Sequence, residues 1–392
     1  MAAIGLALVV WKPHYGPGWL LVNSAWFEVS MILSLLPHEF AHAFAARALG
    51  MRVFRVILGF GPAWWRGSLF GFDVEARAFP FEGVVVAAHR EPRGTNWKGF
   101  IFILAGPMAN ALMLGLAAMS PASHPGWETF VTGWAALPGF ALANLSLLIT
   151  NLWPHQIKTV LGIFPSDGRY LLLALLGRGG KTPEERHATW FLLEAQTCLE
   201  QQKPDEARAW IDRGLTSYPE NSALLSHRSL LLMNAGELAA AREISVALLG
   251  RPSVTQEMRL ILMNNIAYAS AVLGTDLDEA DRYSAEATAA FPWHPALQNT
   301  RGTVLFALGR LDEALPILRK NAGGTQRRPE HIAQTLSILA MAEAQSGQIL
   351  AAERAIATAR LADPNCFLLS RAEAAVRASR EKVGTSSAPV PE

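Results

Sequence analysis

The sequence predicts a predominantly α-helical protein in two parts, a polytopic transmembrane helical core with a small β-hairpin element and then a soluble α-solenoid. Three observations lead there. Of the 392 residues 51% are hydrophobic and the mean hydropathy is +0.20, too apolar for two ordinary soluble domains. The apolar excess is concentrated up to about Leu176, whereas Lys181 onward is charged and rich in alanine. Within that second part small residues recur at the period of a helix pair. The net charge of +1 gives no electrostatic reason for nucleic-acid binding. Cys198 and Cys366 lie far apart without metal spacing and read as reduced thiols in a core.

Ala2 to Trp11 is apolar but short, lacks a basic start and is closed by Lys12-Pro13, which fits an interfacial or partly inserted segment better than a cleaved signal. A first span is expected near residues 19–49, with Asn23, Ser24 and Glu28 its only strongly polar members before residue 38. Pro37 should loosen that helix one turn back, near Leu33. From residue 51 to 86, β-branched and aromatic residues broken by Gly and Pro predict two or more short strands, a hairpin at or in the membrane surface. Further spans are expected near residues 100–119 and 130–153; Asn110, at membrane depth in the first of them, should face the protein interior. The run Tyr170 to Leu176 is too short to cross.

Arg47, Arg52, Arg55, Arg66, Arg77, Arg90, Arg93 and Lys98 crowd the first connection, whereas Ser120 to Glu128 has neither Lys nor Arg. The first connection is therefore expected in the cytoplasm, and three crossings put the repeat domain there too, in a multi-pass protein of the cell membrane.

The soluble half repeats. Ala207, Ala241, Ala280, Ala314 and Ala352, each in a helix-pair turn context, are separated by 34, 39, 34 and 38 residues. Ala195, Ser229, Gly302 and Ala340 precede four of them by twelve, and Pro219, Pro292 and Pro364 follow three of them by twelve. This resembles about five divergent tetratricopeptide repeats with Leu or Ala at most signature aromatic positions, then a capping helix near Cys366 to Arg380. The expected domains are residues 1–180, a membrane-embedded core; 181–382, the helical repeats; and 383–392, a disordered tail.

Chemistry enters at His38-Glu39-Phe40-Ala41-His42. On a helix, positions i and i+4 share a face, so both histidines can bind one zinc ion with Glu39 beside it. By itself the motif fits structural histidines equally well. It is followed in order by Gly59-Phe60-Gly61-Pro62, Phe79-Pro80-Phe81-Glu82-Gly83-Val84, Gly106-Pro107-x-x-Asn110, Asn151-x-x-Pro154 and Asp167-Gly168. The series, covering about Trp19 to Leu176, resembles the site-2 protease family of intramembrane zinc metalloproteases, which cut membrane-anchored substrates.

That resemblance implies a Zn2+ cofactor held by His38, His42 and Asp167, Glu39 as general base, and Asn110, Gly83 and Asn151 as substrate-binding or site-supporting residues. The chain departs from the family in an insertion between Pro154 and Asp167 containing His155, which competes as third ligand; in Glu82 within the Pro-x-Gly-Gly turn; and in Pro37. The implied partners are a membrane-spanning protein substrate, the lipid bilayer, and a peptide or regulatory protein on the repeats. The alternative is a catalytically inactive, membrane-anchored tetratricopeptide scaffold. His89, His124, His294 and His331 lack metal spacing and read as surface or loop residues; Ser34 and Ser166 have no nearby base.

Overall fold

An apolar stretch free of charged residues forms α1 (Ala2–Trp11), which packs beside the long α2 (Gly16–Ala48) through the buried Gly5 and Gly18. The computed structural model describes residues 1–12, 16–120, 128–159, 162–178, 181–252, 254–323 and 328–386, in two units, Met1–Glu194 and Ala195–Glu392. Pro37 lies inside α2, and the helix continues through it. The loosening expected near Leu33 does not break the element.

The β-branched run folds as an antiparallel pair, β1 (Met51–Leu69) and β2 (Phe72–His89). Shifts of register bend it so that Ile57 pairs with Val84 on one side and with Glu75 on the other. Two strands thus do the work of a small sheet, whose segment from Gly83 to His89 is bonded only to Met51–Leu58 and forms an edge. One face is closed by α2, where Phe40 and Ala43 pack on Val56, Leu58, Phe72 and Val74. Glu75 is buried in the sheet among guanidinium groups, with Arg77 at 2.6 Å and Arg66 at 3.1 Å. Burial pushes its carboxyl up, and these arginines more than offset that and hold it below the usual value.

α3 (Thr95–Ala118) follows, with Pro107 inside it. Of the described helices, α2 and α3 are long and apolar enough to cross a membrane. The segment expected as one span over residues 130–153 is instead two helices, α4 (Thr129–Thr132) and the 17-residue α5 (Ala136–Leu152). Gly133 adopts an extended conformation and breaks the ladder. The freed groups are taken up by α2: the Asn23 amide donates to the carbonyls of Phe130 (3.0 Å) and Gly133 (2.9 Å) and accepts from Ala135 N–H (2.9 Å). Trp26 donates to Ala136 O at 2.7 Å. A short antiparallel pair, β3 (Gln156–Thr159) and β4 (Gly162–Pro165), then leads into α6 (Asp167–Leu175).

Among the described residues, five helix pairs and a last helix follow: α7 (Pro183–Glu200) with α8 (Pro204–Ser217), α9 (Ser222–Asn234) with α10 (Leu238–Leu249), α11 (Gln256–Leu273) with α12 (Leu277–Ala290), α13 (Pro295–Ala307) with α14 (Leu311–Ala322), α15 (Pro329–Gln345) with α16 (Ile349–Ala362), then α17 (Leu369–Ser386). The boundary between the two units falls within α7. All five periodic alanines are fully buried, at 0% exposure, as expected of small residues in the close-packed interior of helix pairs. Ser229 in α9 donates to the carbonyl of Ala241 in α10 at 2.8 Å, which ties one such pair directly. Pro219, Pro292 and Pro364 follow the ends of α8, α12 and α16, as residues that cannot continue a helix do. Both cysteines are buried, and neither is in a disulfide. Of the tail expected over 383–392, residues 383–386 continue α17 and 387–392 lie outside the described residues.

Candidate metal centre

Helical spacing sets His38 and His42 one above the other on α2, their Nε2 atoms 3.1 Å apart. The start of α6 brings Asp167 to them: its Oδ2 lies 3.3 Å from Nε2 of His38 and 3.6 Å from Nε2 of His42. These three residues are the one group of His, Cys, Asp or Glu among the described residues with ligand atoms close enough to hold a metal ion.

The surroundings settle which ring nitrogens carry protons. The carbonyl of Phe102, 2.7 Å from Nδ1 of His42, can only accept, so Nδ1 donates and in the neutral ring Nε2 carries the lone pair. For His38 the partner is Asn110 Oδ1, 2.5 Å from Nδ1. Asn110 is oriented by its own amide, which donates to Asn144 Oδ1 (3.0 Å) and to Ser34 O (3.4 Å). Asn144 is oriented in turn by donating to Ser34 Oγ and Phe140 O, both at 3.0 Å. With both rings neutral, two imidazole lone pairs and a carboxylate oxygen face one another, an arrangement that a shared cation satisfies.

Their spacing fits that cation. Tetrahedral zinc with ligands at about 2.0–2.2 Å sets donor atoms about 3.3–3.6 Å apart, close to the separations here. Two nitrogens and one oxygen are a donor set that suits catalytic zinc and leaves one position open.

Close backbone approach completes the site. A Cβ on Gly106 of α3 would lie 2.3 Å from Nε2 of His42 and 2.6 Å from Nε2 of His38, so only glycine lets α3 pass the two rings. Glu39, buried beside them, meets the sheet edge at Gly83, where a Cβ would come within 2.4 Å of its Cδ and Oε1.

The insertion before Asp167 is looped out. β3 and β4 form its hairpin, and Ser166 at its base bonds across it to Trp153 and His155. His155 turns its Nδ1 to the carbonyl of Trp153, 2.8 Å away, and takes no part in the three-residue group. Asn151 sits in the last turn of α5 and is absent from the hydrogen bonds that orient His38 and His42. His89 differs from the surface residue expected: it is buried, and burial, with Arg186, Lys98 and His187 nearby, pushes its imidazole down to about 4. His124 lies outside the described residues.

Asn144 and Ser34 were missed as site residues. The signal for Asn144 was available, a second amide in an apolar helix seven residues before Asn151. In the sequence Ser34 reads only as a nucleophile without a base, whereas in the fold it is a hydrogen-bond partner of Asn110 and Asn144.

A sequence profile described as peptidase family M50 matches residues 26–352. The chain is 32% identical over 130 residues to a putative zinc metalloprotease of Xylella fastidiosa, a match covering 30% of this chain and 28% of that protein. It is 28% identical over 160 residues to the regulator of sigma-E protease RseP of Salmonella typhimurium, covering 37% of this chain and 32% of that one. The chain thus spans about a third or less of the length of these relatives. Among solved structures, a thermophilic tetratricopeptide protein of Thermus thermophilus is similar over 48% of this chain and 98% of its own, at 20% identity and a TM-score of 0.36.

Proposed function

The chain belongs to peptidase family M50, and from that membership we propose that it is an intramembrane zinc endopeptidase, which hydrolyses peptide bonds of membrane-spanning protein substrates near the cytoplasmic side. The observation that carries this reading is the convergence of His38, His42 and Asp167 at ligand spacing. Zinc held there supplies a Lewis acid that lowers the pKa of a water toward about 7.

The chain's own residues do the rest. Glu39 takes a proton from the attacking water and returns it to the leaving amine. Asn110, backed by Asn144 and Ser34, keeps the ring of His38 in the tautomer that presents Nε2. A helical substrate protects its backbone with its own hydrogen bonds, so it must unwind before attack. The sheet edge from Gly83 to His89, which begins against Glu39, suits the extended strand that results. In this reading residues 1–180 form the multi-pass proteolytic core, and residues 181–382 lie in the cytoplasm and recruit a substrate tail or a regulator.

The test separates binding from chemistry. Glu39→Gln should keep one zinc per chain and lose cleavage of membrane substrates, which then accumulate uncut on it. Equal processing by Glu39→Gln refutes the assigned base. Zinc content unchanged in a His38→Ala, His42→Ala double variant refutes the metal centre.

A further inference from the structure

Asp167 comes from a short helix at the end of an inserted hairpin, and a ligand so placed needs something to fix it. Ser166, immediately before it, is 1% exposed, and its hydroxyl makes three hydrogen bonds. Its hydroxyl donates to Trp153 O at 2.7 Å, accepts from His155 N–H at 3.1 Å, and accepts from Arg169 N–H at 3.3 Å. The last of these caps α6. The first two fasten the start of α6 to the chain leaving α5, on the near side of the insertion. His155 O also accepts from the backbone N–H of Ser166 at 2.9 Å, which doubles the clasp.

We infer that Ser166 is a positioning residue for the third metal ligand: its side chain clasps the two ends of the insertion together, so that Asp167 is held by α5 and the hairpin Gln156–Pro165 is bypassed. The inference rests on the metal-centre reading above. A hydroxyl is required because one atom must donate to a carbonyl while accepting from two amides. An alanine there leaves the Trp153 carbonyl and the His155 amide without this partner and removes the cap. Asp167 then gains freedom relative to His38 and His42, and the site loses metal affinity before it loses fold.

The test uses the full chain in detergent, with zinc affinity read by competition against a chromophoric chelator. Ser166→Ala should weaken zinc binding by about tenfold, the range seen when the support of a metal ligand is removed. Ser166→Thr, which keeps the hydroxyl, should restore it to within about twofold of wild type, and a variant lacking residues 158–163 should bind as wild type does. Cleavage by Ser166→Ala should recover when free zinc is raised, which a misfolded protein would not do. Wild-type affinity in Ser166→Ala, a threonine variant as weak as the alanine one, or a tenfold loss on shortening the hairpin would each overturn the inference. Failure of the metal-centre reading is distinct, because the wild-type chain itself would then bind no zinc.

Discussion

Gly106→Ala tests the metal centre with a single methyl group. The added Cβ would sit 2.3 Å from Nε2 of His42 and 2.6 Å from Nε2 of His38. To reach an ordinary contact of about 3.4 Å, the rings or α3 must give way by about 1 Å, whereas metal–ligand distances tolerate only about 0.2 Å. Neither side yields easily: the rings are tied through Nδ1 to Asn110 and Phe102, and those two residues sit on α3 itself. A shift of α3 therefore drags the partners of both histidines with it. Zinc affinity should fall by about 100-fold or more, the upper end for disturbed ligand support. The control is Gly115→Ala on the same helix, where an added Cβ meets nothing within 4 Å. Metal content after dialysis and chelator competition, with helicity by circular dichroism, gives the readout. Normal zinc affinity in Gly106→Ala would refute the placement of the metal between these rings.

Three further outcomes are expected. Asn144→Leu removes the acceptor that orients Asn110 and should lower zinc affinity about tenfold by chelator competition; an unchanged value would show that the amide chain does not hold His38. Asn23→Leu strands two carbonyls and an amide at the break before α5, and thermal unfolding in detergent should report a loss on the order of 3 kcal/mol. The pH dependence of unfolding should carry a contribution from His89. Its imidazole titrates at about 4 in the fold against 6.5 when free, so the unfolded chain binds more protons between these values. Stability should accordingly drop as pH falls from 6.5 to 4, and His89→Gln should flatten that slope.

The parts of the molecule legible in the sequence are those written as local spacing. The two histidines follow from the four-residue repeat of a helix face, and the five alanines from the pitch of a helix pair. What stayed hidden depends on partners far apart in the chain. Asn23 meets Ala135 and Asn144 meets Ser34 across separations of 112 and 110 residues, and no periodicity marks an amide as the partner of a broken helix or of another amide. The apolar run from residue 130 to 153 reads as one span because hydropathy does not register the extended backbone at Gly133. The doubled register of β1 and β2 escapes for the same reason, since alternation reports which face a side chain takes and not how many neighbours its strand has. His89 reads as a surface or loop residue because it lacks metal spacing, while the groups that enclose it come from α3 and α7.

The split between α4 and α5 also bears on how the protein is made. A helix pair with three bare backbone groups at the join is costly to leave alone in hydrocarbon. The side chain that relieves it, Asn23, leaves the ribosome more than a hundred residues earlier, on the helix that also carries His38 and His42. Synthesis from the amino terminus therefore completes α2, with Asn23, His38 and His42, before α4 and α5 are made and before the segment bearing Asp167 is translated. The three ligands are all present only once α6 has been made, after the join at Gly133 has already found its partner on α2.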